Sequence, residues 1–281
     1  MLLRQISMSS NSDLIITVTI AKSWLFPEAS GAPETPEEIA NSVFECYEAG
    51  ASIAHIHTFY LLDHEEEWSR TLDLIREKCD IVTQVGMSSI PLKGRLEMFK
   101  LHPDMLSIIL SHHDEAFPSG DVNRIHTREE LQEYCRLCRK YDVKPEFEVW
   151  HAGSIWNLTY LIEKGLLDKP YFLTLFFGWP GGTWAPPTTQ EFLARLAVLP
   201  PNSVYQISVM GAEQTKMAAL SIMHGGHVRV GTEDYPYVYR NILAKNNGEL
   251  VSKIRRLSKE LGRDIADASA VRKLLNLKRS Q

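Results

Sequence analysis

The segment TPEEIANSVFECYEAGASIAHIH (residues 35–57) contains one complete helix-to-strand unit. Thr35 and Glu38, with proline directly after the threonine, form a capping box, so we predict a helix over residues 36–49. The run Ser52–His57 follows the glycine that ends this helix and is typical of a short buried strand. A helix followed at once by a strand is the repeating unit of parallel α/β folds.

The same alternation continues along the chain. The eight predicted strands are Ile15–Ala21, Ser52–His57, Ile81–Gly86, Met105–Leu110, Lys144–Trp150, Tyr171–Phe177, Val204–Met210 and His227–Gly231. Helices are predicted near 36–49, 65–79, 91–101, 127–142, 153–164, 187–197, 213–223 and 248–261, with a short extra helix near 267–276. Eight strands, each followed by a helix, favour a closed (β/α)8 TIM barrel over an open doubly wound sheet. No strand is followed by GxGxxG, and no linker divides residues 1–281, so we expect a single barrel domain.

Composition narrows the possible functions. The 281 residues are 44% hydrophobic and 23% charged, with a net charge of −5, which excludes a disordered chain and gives no basic footprint for nucleic acid or an anionic membrane. The N-terminus lacks the apolar stretch of a signal peptide and no apolar run is long enough to span a bilayer, so we expect a cytoplasmic protein that acts on small molecules. Cys135 and Cys138 form a CxxC inside a predicted helix, and we interpret them as ordinary helix cysteines.

Polar residues at the ends of the second and eighth strands are candidate metal ligands. His55 and His57 alternate along a strand and therefore face the same side, and Glu233 follows the eighth strand. Barrel closure places these two strands on either side of the first, so the three side chains can converge as an open His₂Glu site, for which zinc is the preferred metal. The alternative is a pair of hydrogen-bonded histidines without a metal.

Strand ends elsewhere supply candidate substrate-binding groups. Glu146 and Glu148 alternate along the fifth strand and face one side; they would line the barrel or, alternatively, face the helices and pair with Lys or Arg. Ser88 and Ser89 follow the third strand and could bind a carboxylate or a phosphate.

Two further loops offer polar groups. Gly181 and Gly182 follow the sixth strand and could let backbone N–H groups approach an anionic group of a cofactor, although a plain turn explains them equally well. Ser111, His112 and His113 follow the fourth strand.

With these residues considered together, the sequence resembles the β-keto acid cleavage enzymes, a family typified by 3-keto-5-aminohexanoate cleavage enzyme. The matching segments are Thr35–Ala40, Gly50–His57, Lys144–Glu148, Gly225–Asp234 and Gly262–Ala266. They occur in the family's order over nearly the whole chain, and the eighth-strand motif is specific.

The resemblance implies a zinc-dependent TIM barrel, usually a homotetramer, that converts a β-keto acid and acetyl-CoA into acetoacetate and a new acyl-CoA. It implies that His55, His57 and Glu233 bind zinc, and that Arg229 and Asp234 transfer protons with the help of a water. It further implies that Glu146, or its neighbour Glu148, faces the variable end of the substrate and that Ser88 or Ser89 lies near the keto acid.

The sequence departs from the family pattern at several positions, two of which follow the first and second strands. His57 is followed by Thr58–Leu61 where members commonly have an arginine, and Ala21–Trp24 replaces a turn that often carries a glutamate. These changes bear on which keto acid is used. They also leave two other functions open: a metal-dependent aldolase or hydrolase on the same barrel, and a non-catalytic metabolite-binding relative.

Overall fold

The protein is described by a computed structural model that covers residues 12–21, 25–26, 32–57, 65–117, 120–178 and 185–278, with all side chains in those ranges except 113–122. Its strands are β1 Ile16–Ile20, β2 Ile53–Ile56, β3 Val82–Val85, β4 Met105–Ile109, β5 His112–Phe117, β6 Gly120–Ile125, β7 Lys144–Val149, β8 Tyr171–Gly178, β9 Ser203–Met210, β10 His227–Gly231, β11 Tyr237–Tyr239 and β12 Ile242–Leu243. Its helices are α1 Pro36–Ala49, α2 Glu65–Lys78, α3 Leu96–Lys100, α4 Arg128–Tyr141, α5 Ile155–Glu163, α6 Thr189–Val198, α7 Gln214–Met223, α8 Asn247–Glu260 and α9 Ala268–Leu275.

Eight of these strands close into a parallel barrel in the order β1-β10-β9-β8-β7-β4-β3-β2. Helices follow the strands, so the predicted (β/α)8 TIM barrel is confirmed. Strands β2 and β10 both pair with β1, as the metal-site prediction required. The carboxyl ends of all eight strands open at one mouth, where side chains from different strands can meet.

The opposite end of the barrel is closed by apolar side chains. This floor consists of Ile15, Ile53, Val82, Met105 and Phe172. Helix α9 packs against the floor through Ala268, Val271 and Leu275, all of them buried. Full burial of a valine or leucine side chain contributes about 1.5–3 kcal/mol, so the extra helix that the sequence predicted stabilises the barrel and excludes water from below.

A layer of hydrogen-bonded polar side chains lies above the floor. Thr17 donates to the Gln206 side-chain oxygen at 2.6 Å, and the Gln206 amide donates to the Thr174 hydroxyl at 2.8 Å. All three residues are fully buried. Because buried polar groups cost free energy unless they are paired, this chain explains how the inside of the barrel can be polar and still be closed.

Two parts of the chain differ from the predicted elements. An antiparallel hairpin of β5 and β6 follows β4, where the sequence analysis placed a loop with His112 and His113. The helix predicted near 91–101 is a 3₁₀ turn at Leu92–Arg95 followed by α3.

In the described part of the chain, no helix is long and apolar enough to cross a membrane.

Candidate functional site

Three candidate metal ligands converge at the barrel mouth. His55 lies on β2, His57 directly after it, and Glu233 two residues beyond β10. The Nε2 atoms of the two histidines are 2.9 Å apart, and the Glu233 carboxylate oxygens lie 3.5 Å from His57 Nε2 and 3.9 Å from His55 Nε2. In a tetrahedral zinc site with ligand bonds of about 2.0–2.1 Å, donor atoms stand roughly 3.3 Å apart. The three side chains therefore fit a metal of this size.

The strand register explains this convergence. Thr19 on β1 pairs with His55 on one side and with Gly231 on the other, so the two outer strands present their ends at the same height. A Cβ atom at position 231 would lie 2.2 Å from the Thr19 hydroxyl oxygen. Glycine therefore lets β10 approach β1 closely, and Glu233 follows at the level of the histidines.

Both imidazoles are in the neutral form that a metal requires. Burial lowers the pKa of His55 well below its usual value and, with the nearby Arg229 charge, lowers the pKa of His57 to about 4. The Gln84 side-chain oxygen lies 2.8 Å from His55 Nδ1 and accepts a hydrogen bond from Nδ1–H. The Nε2 lone pair is therefore free and directed into the site. The outer partner of a metal-binding histidine usually acts in this way.

Gly86, at the end of β3, leaves the room that the two imidazoles occupy. A Cβ atom there would lie 2.4 Å from His57 Nε2 and 2.9 Å from His55 Nε2. We expect Gly86→Ala to push both rings aside and weaken zinc binding about 10- to 100-fold, the range seen when ligand orientation is disturbed. Competition with a chromophoric chelator measures this. Unchanged affinity would show that the rings need no such space.

A buried ion pair lies beside the candidate metal ligands. Arg229 on β10 donates to both Asp234 oxygens, at 2.9 and 3.1 Å, and to Glu233 at 3.1 Å. The Ser208 hydroxyl donates to the same Asp234 carboxylate at 3.0 Å. Burial raises the pKa of Asp234 while Arg229 lowers it, so this carboxylate is a stronger base than an exposed one and is still held in place.

The two glutamates of β7 face the barrel interior. Phe147 and Val149, which alternate with them, belong to the core between strands and helices. Glu146 is fully buried at the polar layer, and Glu148 lies one step nearer the mouth, where the Trp150 indole N–H donates to it at 2.9 Å. Burial raises the pKa of both carboxyls. At Glu148 the largest opposing effect is a hydrogen bond from Ser88, which lowers the pKa. In the described residues neither glutamate forms an ion pair with Lys or Arg, which argues against the helix-facing alternative.

The remaining candidates stand apart or lie outside the described residues. In the described part of the chain no hydrogen bond joins Ser89 to this site, and His112 lies on the hairpin beside Asn123. Cys135 and Cys138 are buried on α4 with free thiols. The candidates named in the sequence analysis that lie outside the described residues are Gly181, Gly182, Lys22–Trp24 and Thr58–Leu61, together with the side chain of His113.

The sequence analysis missed several residues that contact the site. Gln84 is hydrogen-bonded to His55, and Ser208 to Asp234. Trp150 is hydrogen-bonded to Glu148. For Gln84 a signal existed, because it alternates with Val82 and therefore faces into the barrel. Met87, whose sulfur lies 3.2 Å from His57 Nδ1, had no such signal, since it lies in a turn.

Comparison with known proteins identifies the family of this chain. The profile of the beta-keto acid cleavage enzyme family matches residues 13–277. The 3-keto-5-aminohexanoate cleavage enzyme of Fusobacterium nucleatum is 34% identical over 95% of this chain and 98% of its own. The 3-dehydrocarnitine:acetyl-CoA trimethylamine transferase of Rhizobium meliloti is 29% identical over 96% of this chain and 98% of its own.

A solved structure supports the fold. The apo structure of ObcA superimposes with a TM-score of 0.73 and 18% identity over 88% of this chain, which spans 65% of the length of ObcA. At this identity the likeness concerns the barrel alone. The profile match, which covers nearly every described residue, and the full-length relatives together show that the chain belongs to the beta-keto acid cleavage enzyme family.

Proposed function

We propose that this protein is a zinc-dependent acyltransferase that converts a β-keto acid and acetyl-CoA into acetoacetate and a new acyl-CoA. The observation that carries the proposal is the meeting of His55, His57 and Glu233 with the Arg229–Asp234 pair at one barrel mouth. Family membership supplies the β-keto acid. The Rhizobium relative, whose name includes acetyl-CoA, supports the second substrate.

In this proposal the metal is held by His55, His57 and Glu233. When bound, a divalent cation supplies Lewis acidity that stabilises negative charge at the oxygens of the keto acid. Arg229 stays charged beside it, because the Asp234 and Glu233 carboxylates raise its pKa more than burial lowers it. The arginine keeps both carboxylates oriented while charge develops on the substrate.

Asp234 is the group that we propose removes a proton from C2 of the keto acid, directly or through a water. Its two oxygens are held by Arg229 and by the Ser208 hydroxyl, so the carboxylate has one orientation. Proton transfer by a positioned group contributes about 10²- to 10⁴-fold to a rate. The C2 carbanion can then attack the thioester carbonyl of acetyl-CoA, which breaks the C–S bond and releases CoA thiolate. The thiolate adds to the C3 carbonyl, and cleavage of the original C2–C3 bond gives the new acyl-CoA and the acetoacetate carbanion, which takes back the proton from Asp234.

The site favours a β-keto acid with a cationic side chain. The Glu148 carboxyl group accepts a hydrogen bond from Trp150, which stacks on Phe176 with ring centroids 5.3 Å apart, and the Glu146 carboxyl lies in the layer below. Carboxylates and aromatic faces both attract an ammonium group. The names of the Fusobacterium and Rhizobium relatives, which refer to an amino acid derivative and to trimethylamine, support this class. We propose Glu148 as the main partner because it lies nearer the mouth.

Changing Glu148 to glutamine tests this specificity. We expect kcat/KM for an amine-bearing β-keto acid to fall about 10- to 100-fold, because a hydrogen bond to a charged group contributes about 1.5–3 kcal/mol. The value for an uncharged substrate of the same size should change little, and zinc content should not change. Glu146→Gln is the matched control from the layer below. A larger effect at Glu146 than at Glu148 would reverse the assignment.

The proposed reaction is tested with metal-free protein and with the same protein after zinc is restored. Each is incubated with acetyl-CoA and a panel of cationic, neutral and anionic β-keto acids, and acetoacetate is measured. We expect acetoacetate only in the presence of metal, with cationic substrates fastest. Cleavage of the panel without CoA would favour an aldolase or hydrolase, and no turnover at all would favour a binding protein.

The proposal extends to assembly and location. We propose a cytoplasmic homotetramer of single-domain chains, following the family resemblance. Large apolar side chains such as Trp156, 76% exposed, and Met223, 63% exposed, are of the kind that subunit contacts cover.

A further inference from the structure

The two histidines of the site differ in what holds their outer ring nitrogens. His55 Nδ1 lies 2.8 Å from the Gln84 amide oxygen and 3.4 Å from the Ser107 hydroxyl. His57 Nδ1 lies 3.2 Å from the sulfur of Met87, and the described residues offer it no oxygen or nitrogen acceptor. A thioether sulfur is a weak acceptor, so the two rings are held with unequal strength.

Met87 reaches this position through an unusual backbone conformation. Its φ angle is +66°, in the left-handed region that costs an L-residue about 1–2 kcal/mol. Two hydrogen bonds fix the turn: Gly86 N–H donates to the Ile56 carbonyl at 3.0 Å, and the buried Arg95 side chain donates to the Gly86 carbonyl at 2.7 Å. The Met87 side chain is only 7% exposed, and its sulfur faces His57.

We infer that Met87 is a positioning residue for His57: the Met87 thioether accepts a hydrogen bond from His57 Nδ1–H and so directs the Nε2 lone pair toward the metal. The inference rests on the proposed metal site. With protons on both Nδ1 atoms, the Nε2 atoms carry lone pairs that face each other at 2.9 Å, and this contact is favourable only with a cation between them. In the described residues His57 Nδ1 has this single contact, whereas His55 Nδ1 lies near both Gln84 and Ser107, so His57 is the ligand whose orientation depends most on one outer partner.

The inference is tested by comparing the zinc affinity of the original protein with that of two Met87 variants. Met87→Leu keeps the volume and removes the acceptor, while Met87→Gln supplies an amide oxygen. None of the three side chains is branched at Cβ, so all three meet a similar backbone cost at this φ. We expect zinc affinity, measured by competition with a chromophoric chelator, to fall about tenfold in Met87→Leu and to equal or exceed the original in Met87→Gln. Met98→Leu, at a buried methionine on α3, is the matched control.

The outcomes separate this inference from the proposed function. Loss of zinc in His57→Ala with full affinity in Met87→Leu would overturn the inference and leave the metal site intact. Equal losses in the leucine and glutamine variants would show that Met87 acts by packing alone, which also overturns it. If the original protein binds no zinc, the proposed function fails first.

A second measurement needs no variant. In the zinc-loaded protein, the nitrogen chemical shifts of the His57 ring report which nitrogen binds the metal and which carries the proton. We expect the proton on Nδ1, and a proton on Nε2 would overturn the inference.

Discussion

Replacing Asp234 by asparagine is expected to lower kcat about 10³-fold and leave bound zinc unchanged. Asparagine has the same shape, and its oxygen can still accept from Arg229, but it cannot take up a proton from a carbon acid. The loss expected from removing a positioned base is about 10²- to 10⁴-fold. Zinc content per chain and steady-state rates with acetyl-CoA measure the two quantities separately.

The control for this change is Asp168→Asn, since Asp168 pairs with Arg139 at the surface and its side chain is 75% exposed. It should alter neither rate nor metal content. An Asp234→Asn protein that retains most of its kcat would show that another group removes the proton. One that loses zinc would show that Asp234 supports the Glu233 ligand through Arg229 and would remove the evidence for a separate catalytic role.

Much of the fold could be predicted because local signals and the fold agree. The capping box of Thr35 and Glu38 is present as predicted, with each side chain bonded to the other residue's backbone. The predicted strands overlap the eight barrel strands within about one residue at most ends, since buried parallel strands read as short apolar runs. The last helix could be predicted because it has an apolar face, and in the structure this face packs against the floor of the barrel.

The hairpin of β5 and β6 could not be predicted in the same way. Its strands alternate polar and apolar residues weakly, and two histidines at its start suggested a strand end with site residues. The sequences of β5 and β6, HHDEAF and GDVNRI, contain few apolar residues, so hydrophobic periodicity gives no signal for them. Turn chemistry at Pro118–Gly120 was the available clue.

Part of the candidate site could likewise be predicted from the sequence, and part could not. His55, His57 and Glu233 could be grouped because period-two alternation and barrel closure are rules of the fold, and these need no coordinates. The choice between Glu146 and Glu148 depends on depth within the barrel, which strand alternation does not give. Met87 required the three-dimensional turn itself, because neither its residue type nor its neighbours distinguish it in sequence.

The largest effect on metal binding is expected from the ligands themselves. Structural zinc sites bind with about 10–16 kcal/mol for four ligands, so one ligand contributes roughly 3 kcal/mol or more, which corresponds to a hundredfold change in affinity. We therefore expect His57→Ala and Glu233→Gln each to weaken zinc at least about 100-fold and to lose all measurable turnover at micromolar metal. Zinc content and chelator competition measure the binding.

Thermal unfolding gives an independent measure, because a ligand that binds only the folded state raises the melting temperature. Added chelator should lower the melting temperature of the original protein and should not change that of the two ligand variants. His102→Asn is the control: His102 is exposed and has a φ of +47°, a conformation that asparagine adopts readily, so its zinc affinity should equal the original. Full zinc content in Glu233→Gln would exclude this carboxylate as a ligand, and the metal would then be held by the two histidines with a different third group.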